Sequence, residues 1–333
     1  MHRQMVRFGL IALAVALFCV GCVPSKEPDS GDQIAGKILI WHSWNDGEEA
    51  VLTQVLDRFT EINRHATVKI QGFASVDEML EEFDASAMSG LGPDLLIAPG
   101  SAIGFLAQAD YIRTIGDVFS EEEAQNFMRG ALELMEWEGD LYGMPATLNT
   151  TVLYYNKNLV DKPPETLNGL LEEAAAGRPV AMSDDFRDTF WGIQAFGGEL
   201  FDEDGWLGLD QGGFVNWLAW LKNARDLPGV LLDPDATVLQ ERFLEEDAAY
   251  YIGDSRDLQT LEEQLGGDVL GVATLPKGPI GVAGPLLDVE GLLFSTASSD
   301  RQAELAIELA KFITNPEQSA LLMREVQHLS LIH

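Results

Sequence analysis

Between Lys37 and Ala98 the chain alternates two periodicities, and that alternation limits the folds open to it. Lys37-Ile-Leu-Ile-Trp41 is a short apolar run of strand type. Val51, Leu52, Val55, Leu56, Phe59 and Ile62 then recur at helical spacing with acids between them. Thr67–Ile70 is β-rich, Val76–Met88 is a second amphipathic helix, and Asp94–Ala98 (DLLIA) is a third strand. Strand–helix–strand–helix–strand in so short a stretch implies a parallel sheet with right-handed crossovers. Ligands of such sheets sit outside the carboxyl ends of the strands. Here those positions are Trp41–Asp46, Gly72–Ser75 and Pro99–Ser101.

A second region begins after the turn-like Gly143-Met144-Pro145. Thr151–Tyr155, Arg178–Met182, Ala248–Ile252, Val269–Thr274 and Gly291–Ser295 are its strand candidates. Gly197-Gly198 and Asp202–Gly205 mark a hairpin or loop, and Asp210 caps a helix with Phe214, Trp217, Leu218 and Leu221 on one face. Ala303–Phe312 is a closing amphipathic helix. At 333 residues, this is two domains or one large one.

Acids outnumber bases 54 to 21, a formal charge of −33. Such a chain repels phosphate backbones and anionic headgroups, which argues against nucleic-acid binding and electrostatic membrane association. Surface acids also simply keep a secreted protein soluble.

The N-terminus reads as an address. Residues 1–7 carry Arg3 and Arg7 and no acid, and Phe8–Val20 is an apolar run of signal-peptide length. Gly21-Cys22 follows, and the pattern resembles a bacterial lipoprotein signal over residues 1–21, with Cys22 as the lipidated residue. Cys19 stands where that motif usually has Leu, and an ordinary signal cleaved nearby is the alternative. Residues 22–36 are polar, with Pro, Ser and Gly, and form a flexible tether. These two cysteines are all the chain has, so the folded part lacks a thiol for a disulfide, a zinc ligand or a nucleophile.

Phosphate-cradling GxxxxGK[ST], dinucleotide GxGxxG, GxSxG and HExxH motifs are all missing. The histidines at 2, 42, 65, 328 and 333 show no ligand spacing. Only His42 lies at a strand end, where a hydrogen-bonded structural role is the simpler reading. Asp202, Asp204 and Gly205 faintly match a calcium loop without its closing Glu. Gly253-Asp-Ser255 matches an esterase block but lies too deep in the chain. Neither a metal nor a cofactor is expected. With 54 acids a pair suited to glycoside hydrolysis is always available, and nothing singles one out.

What stands out is Trp41-His42-Ser43-Trp44-Asn45-Asp46, aromatic and polar residues together at a strand end. A sugar ring stacks its C–H face on indole and pairs its hydroxyl rim with Asp, Asn and Arg. The alternative makes Trp41 core and leaves only Trp44 facing a cleft.

Several segments, in order, resemble the extracellular solute-binding proteins of ABC importers, the maltose-binding-like, carbohydrate-type family. They are KILIWHSW, SGLGPDLLIAPG, LYGMPATLNTTVLYYNKNL with PPET after it, AFGGELFDEDG, DAAYYIGDS, GVATLPKG and FITNPEQSALL, across about residues 37–325. The resemblance implies an α/β, two-lobe periplasmic-binding-protein (Venus-flytrap) fold with a ligand cleft at the hinge. The first lobe would be discontinuous, residues 37–147 and 288–314, and the second would comprise 148–287 and 315–333. Relatives run further past NPEQ, so the chain end at His333 is expected to be a truncation of the second lobe. Thr166-Leu167 replaces the family's Thr-Trp, and Asn168–Phe190 is short.

Carried over by motif position, the expected ligand contacts are Trp41, Trp44, Asp46 and Ser101 in the first lobe and Asn149 near the hinge. From the second lobe come Arg187, Trp191, Asp254 and Arg256, with Glu290 on the returning strand; Phe190 and Trp191 stand equally for lobe core. The implied function is a lipid-anchored, monomeric protein outside the cytoplasmic membrane. It captures a carbohydrate by lobe closure, delivers it to an ABC permease and does no chemistry. Another polar solute, a polyamine or peptide, is the alternative within the binding class. A secreted glycosidase or esterase is the alternative outside it.

Overall fold

The computed structural model describes residues 35–201, 206–209 and 212–325. The signal, Cys22 and the tether up to residue 34, the Asp202–Gly205 loop, Asp210 and residues 326–333 lie outside the described residues. The last two residues expected in the tether, Ala35 and Gly36, open the first strand.

The first lobe follows the expected order. β1 (Ala35–His42) lies between β2 (His65–Gly72) and β3 (Leu95–Pro99), parallel to both. Helix α1 (Asp46–Ile62) starts at Asn45, whose side chain caps it while Glu48 reaches back to the Asn45 N–H. Its apolar stripe, Val51, Leu52, Val55, Leu56 and Phe59, is buried. Met79 and Phe83 of α2 (Val76–Ala87) and Leu106 of α3 (Ile103–Gln108) join the same core, whereas Leu167 and Leu170 of α4 (Leu167–Ala175) belong to the second lobe.

One strand joins the two halves. β6 (Gly143–Asn156) follows a two-stranded ribbon, β4 (Glu136–Trp137) and β5 (Asp140–Leu141). Residues Gly143–Thr150 pair with β11 (Leu287–Phe294), which in turn pairs with β3. Residues Thr151–Tyr155 pair with β9 (Tyr250–Asp254), and Leu153–Asn156 with β10 (Leu270–Ala273). β7 (Val180–Met182) and β8 (Val230–Leu232) complete the second lobe, parallel to β9. The Gly-Met-Pro segment expected to be a turn is therefore strand. A register shift at Glu290/Gly291 accompanies the pairing of Pro145 with Gly291, where a residue without an N–H fits.

Second-lobe side chains alternate between two cores. Leu153, Val180 and Tyr250 point with Trp191 and Trp217 to one face, beside α5 (Gly212–Arg225). Tyr154, Ala181 and Tyr251 point to the other, beside Leu239 and Phe243 of α6 (Ala236–Leu244) and Leu261 of α7 (Leu258–Leu265). Within α5, Trp217 is buried and Phe214 and Leu221 pack against the same core, as the spacing predicts, whereas Leu218 is exposed and Gly213 and Ala224 are buried in addition.

After β11 the chain closes on the first lobe. Helix α8 (Asp300–Ile313) is capped by Ser299 and buries Leu305, Ala306, Leu309 and Ile313. The resemblance places residues from 315 in the second lobe; the structure corrects this for α9 (Pro316–Glu325). Leu321 and Leu322 sit in the first-lobe core, and Arg58 of α1 reaches Gln318 Oε1 at 3.3 Å. α9 packs against α1 and α8. Among the described residues no helix is long and apolar enough to cross a membrane.

Candidate functional site

Strand register places the site. β3 ends with Pro99 beside Glu290, and Glu290 lies beside Thr147 of β6. β9 runs antiparallel to β6 and ends with Asp254 beside Thr151. The carboxyl edges of both sheets therefore face each other, separated by the four-residue step from Thr147 to Thr151, about 13 Å at the usual rise of an extended chain. A cleft between such edges is where an α/β fold presents its ligand surface.

The floor of this cleft is the ribbon of β6 and β11. Thr147 and Asn149 are two apart on one strand and pair with Glu290 and Asp288 on the other, so the four share one face. Leu148 and Val289 turn the opposite way, into the first-lobe core. One side of the ribbon is thus polar and the other apolar.

Each end of the polar face is tied to a different lobe. At the first-lobe end, Trp44 Nε1 donates to Glu290 Oε2 at 2.8 Å, and Thr147 Oγ1 donates to the same oxygen at 3.2 Å. At the second-lobe end, Arg256 donates to both oxygens of Asp254, Nε at 3.1 Å and Nη2 at 2.8 Å, and Nη2 lies 3.8 Å from Asp288 Oδ2. The hydrogen bond to Asp254, above all, pushes the Arg256 guanidinium pKa up, so it remains a cation. Ser255 Oγ donates to Asn149 Oδ1 at 3.4 Å and accepts from Thr150 N at 3.1 Å. Thr150 Oγ1 donates to Leu286 O at 2.9 Å, linking the two crossing strands. Tyr154 Oη donates to the Asp254 carbonyl at 2.8 Å and braces that loop.

The structure brings Trp44, Asn149, Asp254, Arg256 and Glu290 to this ribbon. Asp46, in the first turn of α1, and Ser101, after β3, are exposed on the first-lobe edge, and Arg187 is exposed after β7. Two expected contacts are corrected. Trp41 is buried with its ring 4.9 Å from Phe73 and 6.3 Å from Phe83, because β1 turns that residue into the core. Trp191 is 1% exposed and packs 4.9 Å from Trp217, as lobe core. Trp44 is itself only 6% exposed, so its role here is to hold Glu290 rather than to offer a bare stacking face.

Sequence reasoning missed Thr147, Ser255 as a hinge tie, Asp288 and Phe186. The alternations Thr-Leu-Asn and Asp-Val-Glu were a readable signal for the ribbon, since residues two apart share a strand face. Phe186 follows the carboxyl end of β7, is 51% exposed, and is braced edge-on by Phe190 at 6.0 Å and Phe214 at 5.9 Å. It offers an aromatic surface on the second-lobe edge. A separate hollow of about 360 Å³ beside Lys37, Lys69 and Gly92 opens at the amino ends of β1 and β3, away from the cleft. Among the described residues no cluster of three or more His, Cys, Asp or Glu is placed to hold a metal ion.

Comparison with known proteins gives concordant matches. Residues 54–329 match the family model described as bacterial extracellular solute-binding protein. The maltotriose-binding protein of Pyrococcus abyssi is 26% identical over 188 residues, 54% of this chain and 40% of that protein. The maltodextrin-binding protein MdxE of Bacillus subtilis is 25% identical over 298 residues, 82% of this chain and 69% of that protein. The chain thus spans less than half of the first and about two thirds of the second. Among solved structures, the GacH receptor of Streptomyces glaucescens, studied unliganded and with acarbose, shares the fold. Its TM-score is 0.76 at 19% identity, over 90% of this chain and 80% of that one.

Proposed function

The chain belongs to the bacterial extracellular solute-binding protein family, and from that premise we propose that it captures a carbohydrate for an ABC import system. One observation carries the ligand class. The partly exposed carboxylates of Asp288 and Glu290, set on the buried Thr147 and Asn149 with Arg256 alongside, offer what a hydroxyl rim requires, and the half-exposed ring of Phe186 on the second-lobe edge offers what a C–H face requires. The relatives named for maltotriose and maltodextrin support the same class.

Capture proceeds by closure. β6 and β11 cross between the lobes, so bending near Asn149–Thr151 and Leu286–Asp288 brings Phe186 and Arg256 toward Trp44 and Glu290. A ligand that touches both edges binds the closed form better and shifts the population to it. The permease then takes the solute from the closed protein. Cys22, lipidated after loss of residues 1–21, holds the monomer at the outer face of the membrane; the short apolar run ending at Gly21-Cys22 supports this. Mass spectrometry of membrane-extracted protein checks it: a diacylglycerol adduct on an N-terminal Cys22 is expected, and an unmodified or different N-terminus overturns the anchor.

A cationic solute such as a polyamine is the second reading. Asp184, Asp185, Asp233, Asp254, Asp288 and Glu290 follow the second-lobe strands or lie on the ribbon. Two cations there, Arg225 and Arg256, already pair with Asp184 and Asp254. A thermal-shift panel of maltodextrins, other oligosaccharides, polyamines and peptides separates the two, since a ligand of the folded state raises its melting temperature by mass action. A shift with sugars and none with polyamines is the expected result; the reverse overturns the carbohydrate reading. Release of reducing sugar on incubation with glycans would instead make the protein a hydrolase.

A further inference from the structure

His42 is the last residue of β1 and its side chain is fully buried. The backbone N–H of Trp44 donates to its Nδ1 at 3.2 Å. That nitrogen therefore presents a lone pair, and the single proton of the neutral ring resides on Nε2. Nε2 faces Glu49 Oε2 at 3.5 Å, beside Gly72 of β2, where an added Cβ would lie 3.0 Å from that carboxylate oxygen and 3.4 Å from His42 Cε1. Trp44 is thus held twice, at its backbone by His42 and at its indole by Glu290. The second hold turns one carboxylate oxygen of Glu290 toward the first lobe and fixes the carboxylate on the cleft floor.

We infer that His42 is a positioning residue of the binding site: its neutral ring fixes Trp44, Trp44 orients Glu290 for the ligand, and protonation of the ring undoes both. A proton on Nδ1 would set two N–H groups against each other at 3.2 Å, so the charged ring and the present Trp44 backbone are incompatible. This rests on the reading that the ribbon is the ligand site.

The charged groups that act on the ring are Glu49 and Glu48 of α1. Its strand neighbour is Gly72; β3 brings Leu95 and Leu96 to β1, and α2 brings Met79 and Phe83. The two glutamates favour the proton, but burial opposes it more strongly and holds the pKa below the ordinary histidine value. The ring is therefore neutral at neutral pH, and the hold on Trp44 fails only as pH falls through that lowered value.

Two measurements on the full chain test this. In isotope-labelled protein, ring-nitrogen NMR of His42 should show Nδ1 unprotonated and Nε2 protonated at neutral pH. The Trp44 amide and indole signals should move together with the His42 titration. Calorimetry with maltotriose, run from neutral pH down through the His42 titration seen by NMR, should show wild-type affinity falling roughly tenfold. His42→Asn keeps an acceptor near the Nδ1 position without a titratable ring, so its affinity should stay near wild type and flat across that range. His42→Leu removes the acceptor and should bind roughly five- to tenfold more weakly at every pH. A proton on Nδ1 at neutral pH, Trp44 signals that ignore the His42 titration, or an unchanged pH profile in His42→Asn would each overturn the inference. If His42→Leu does not fold, the NMR titration and His42→Asn still decide it. If maltotriose fails to bind the wild type, the carbohydrate reading fails instead, and the tautomer with the Trp44 signals decides the role of His42.

Discussion

Trp44 and Glu290 lie 246 residues apart in sequence and are joined by a 2.8 Å hydrogen bond from indole to carboxylate. The bond ties the loop after the first strand to the last crossing strand. Trp44→Phe keeps an aromatic ring, smaller than the indole, and deletes the donor. It should weaken sugar binding by about 1.5–3 kcal/mol, the usual worth of a bond to a charged group. Glu290→Ala should cost stability as well, about 1–3 kcal/mol, because the buried indole N–H loses its partner. Calorimetry paired with denaturant unfolding reads both effects.

Phe186, which the sequence did not single out, should behave as a cleft residue, and Trp191, for which cleft and core stood equally, should behave as core. Phe186→Ala should leave the unfolding midpoint nearly unchanged and weaken ligand binding by about 1–3 kcal/mol through lost contact and stacking. Trp191→Ala empties a core site and should cost about 3–5 kcal/mol of stability. The same pair of measurements separates them.

Stability should decline as the solution is acidified, and two carboxylates account for part of it. The hydrogen bond from Lys311, with Nζ 2.7 Å from the carboxylate, holds Glu123 below the usual carboxylate range. The hydrogen-bonded pair with Arg178 does the same for Glu173, which Tyr250 Oη also supports at 3.0 Å. A depressed folded-state pKa contributes stability that is full above the unfolded value and lost as pH falls through the folded one. Asp257 works in the opposite sense, since burial raises its pKa and its protonation on acidification favours the fold. Denaturant midpoints measured against pH should fall less steeply in Glu123→Gln and Glu173→Gln than in the parent, and more steeply in Asp257→Asn.

Gly192 is required by a ring. A Cβ at that position would sit 2.1 Å from Trp217, whose indole N–H is fixed on the Thr189 carbonyl at 2.9 Å. Gly192→Ala should cost about 1–3 kcal/mol by overpacking. A shift of the tryptophan emission in the folded protein would show the displaced ring.

Local order was legible in the residues themselves, whereas the return of residues 288–314 to the first lobe was offered only by the family resemblance. The spacing of Val51, Leu52, Val55, Leu56 and Phe59 gave the buried face of α1 directly, because a helix repeats its own pattern. Apolar runs located β1, β2 and β3 to within about two residues, the ordinary uncertainty of element ends. The insertion of β11 between β3 and β6 leaves no mark in either strand's own sequence, since partner choice depends on the whole sheet. Pro145 looks like a turn because its tolerance in the strand depends on a register shift, with Ala146 unpaired beside it, that exists only against the distant partner β11. The two tryptophans of the first-strand loop were both plausible cleft residues from composition alone. Their fates differ because β1 sends Trp41 inward against Phe73, while Trp44 meets a carboxylate supplied from far downstream. Phe186 gave no periodic signal, as it stands on a helix of a single turn.

The sharing of β6 between the two sheets also dictates the order in which a growing polypeptide can complete them. Until Leu287–Phe294 has been synthesised, β3 lacks its partner on that side and the amino-terminal half of β6 has nothing to pair with. The amino-terminal lobe is therefore the later of the two to close, although its first strand is made first. Tyr154 and Tyr155, by contrast, find β9 and β10 while the ribosome is still short of the returning strand. Exposed strand edges persist throughout that interval, so a nascent chain of this topology remains both open to a holding chaperone and prone to mispairing until Leu287–Phe294 emerges.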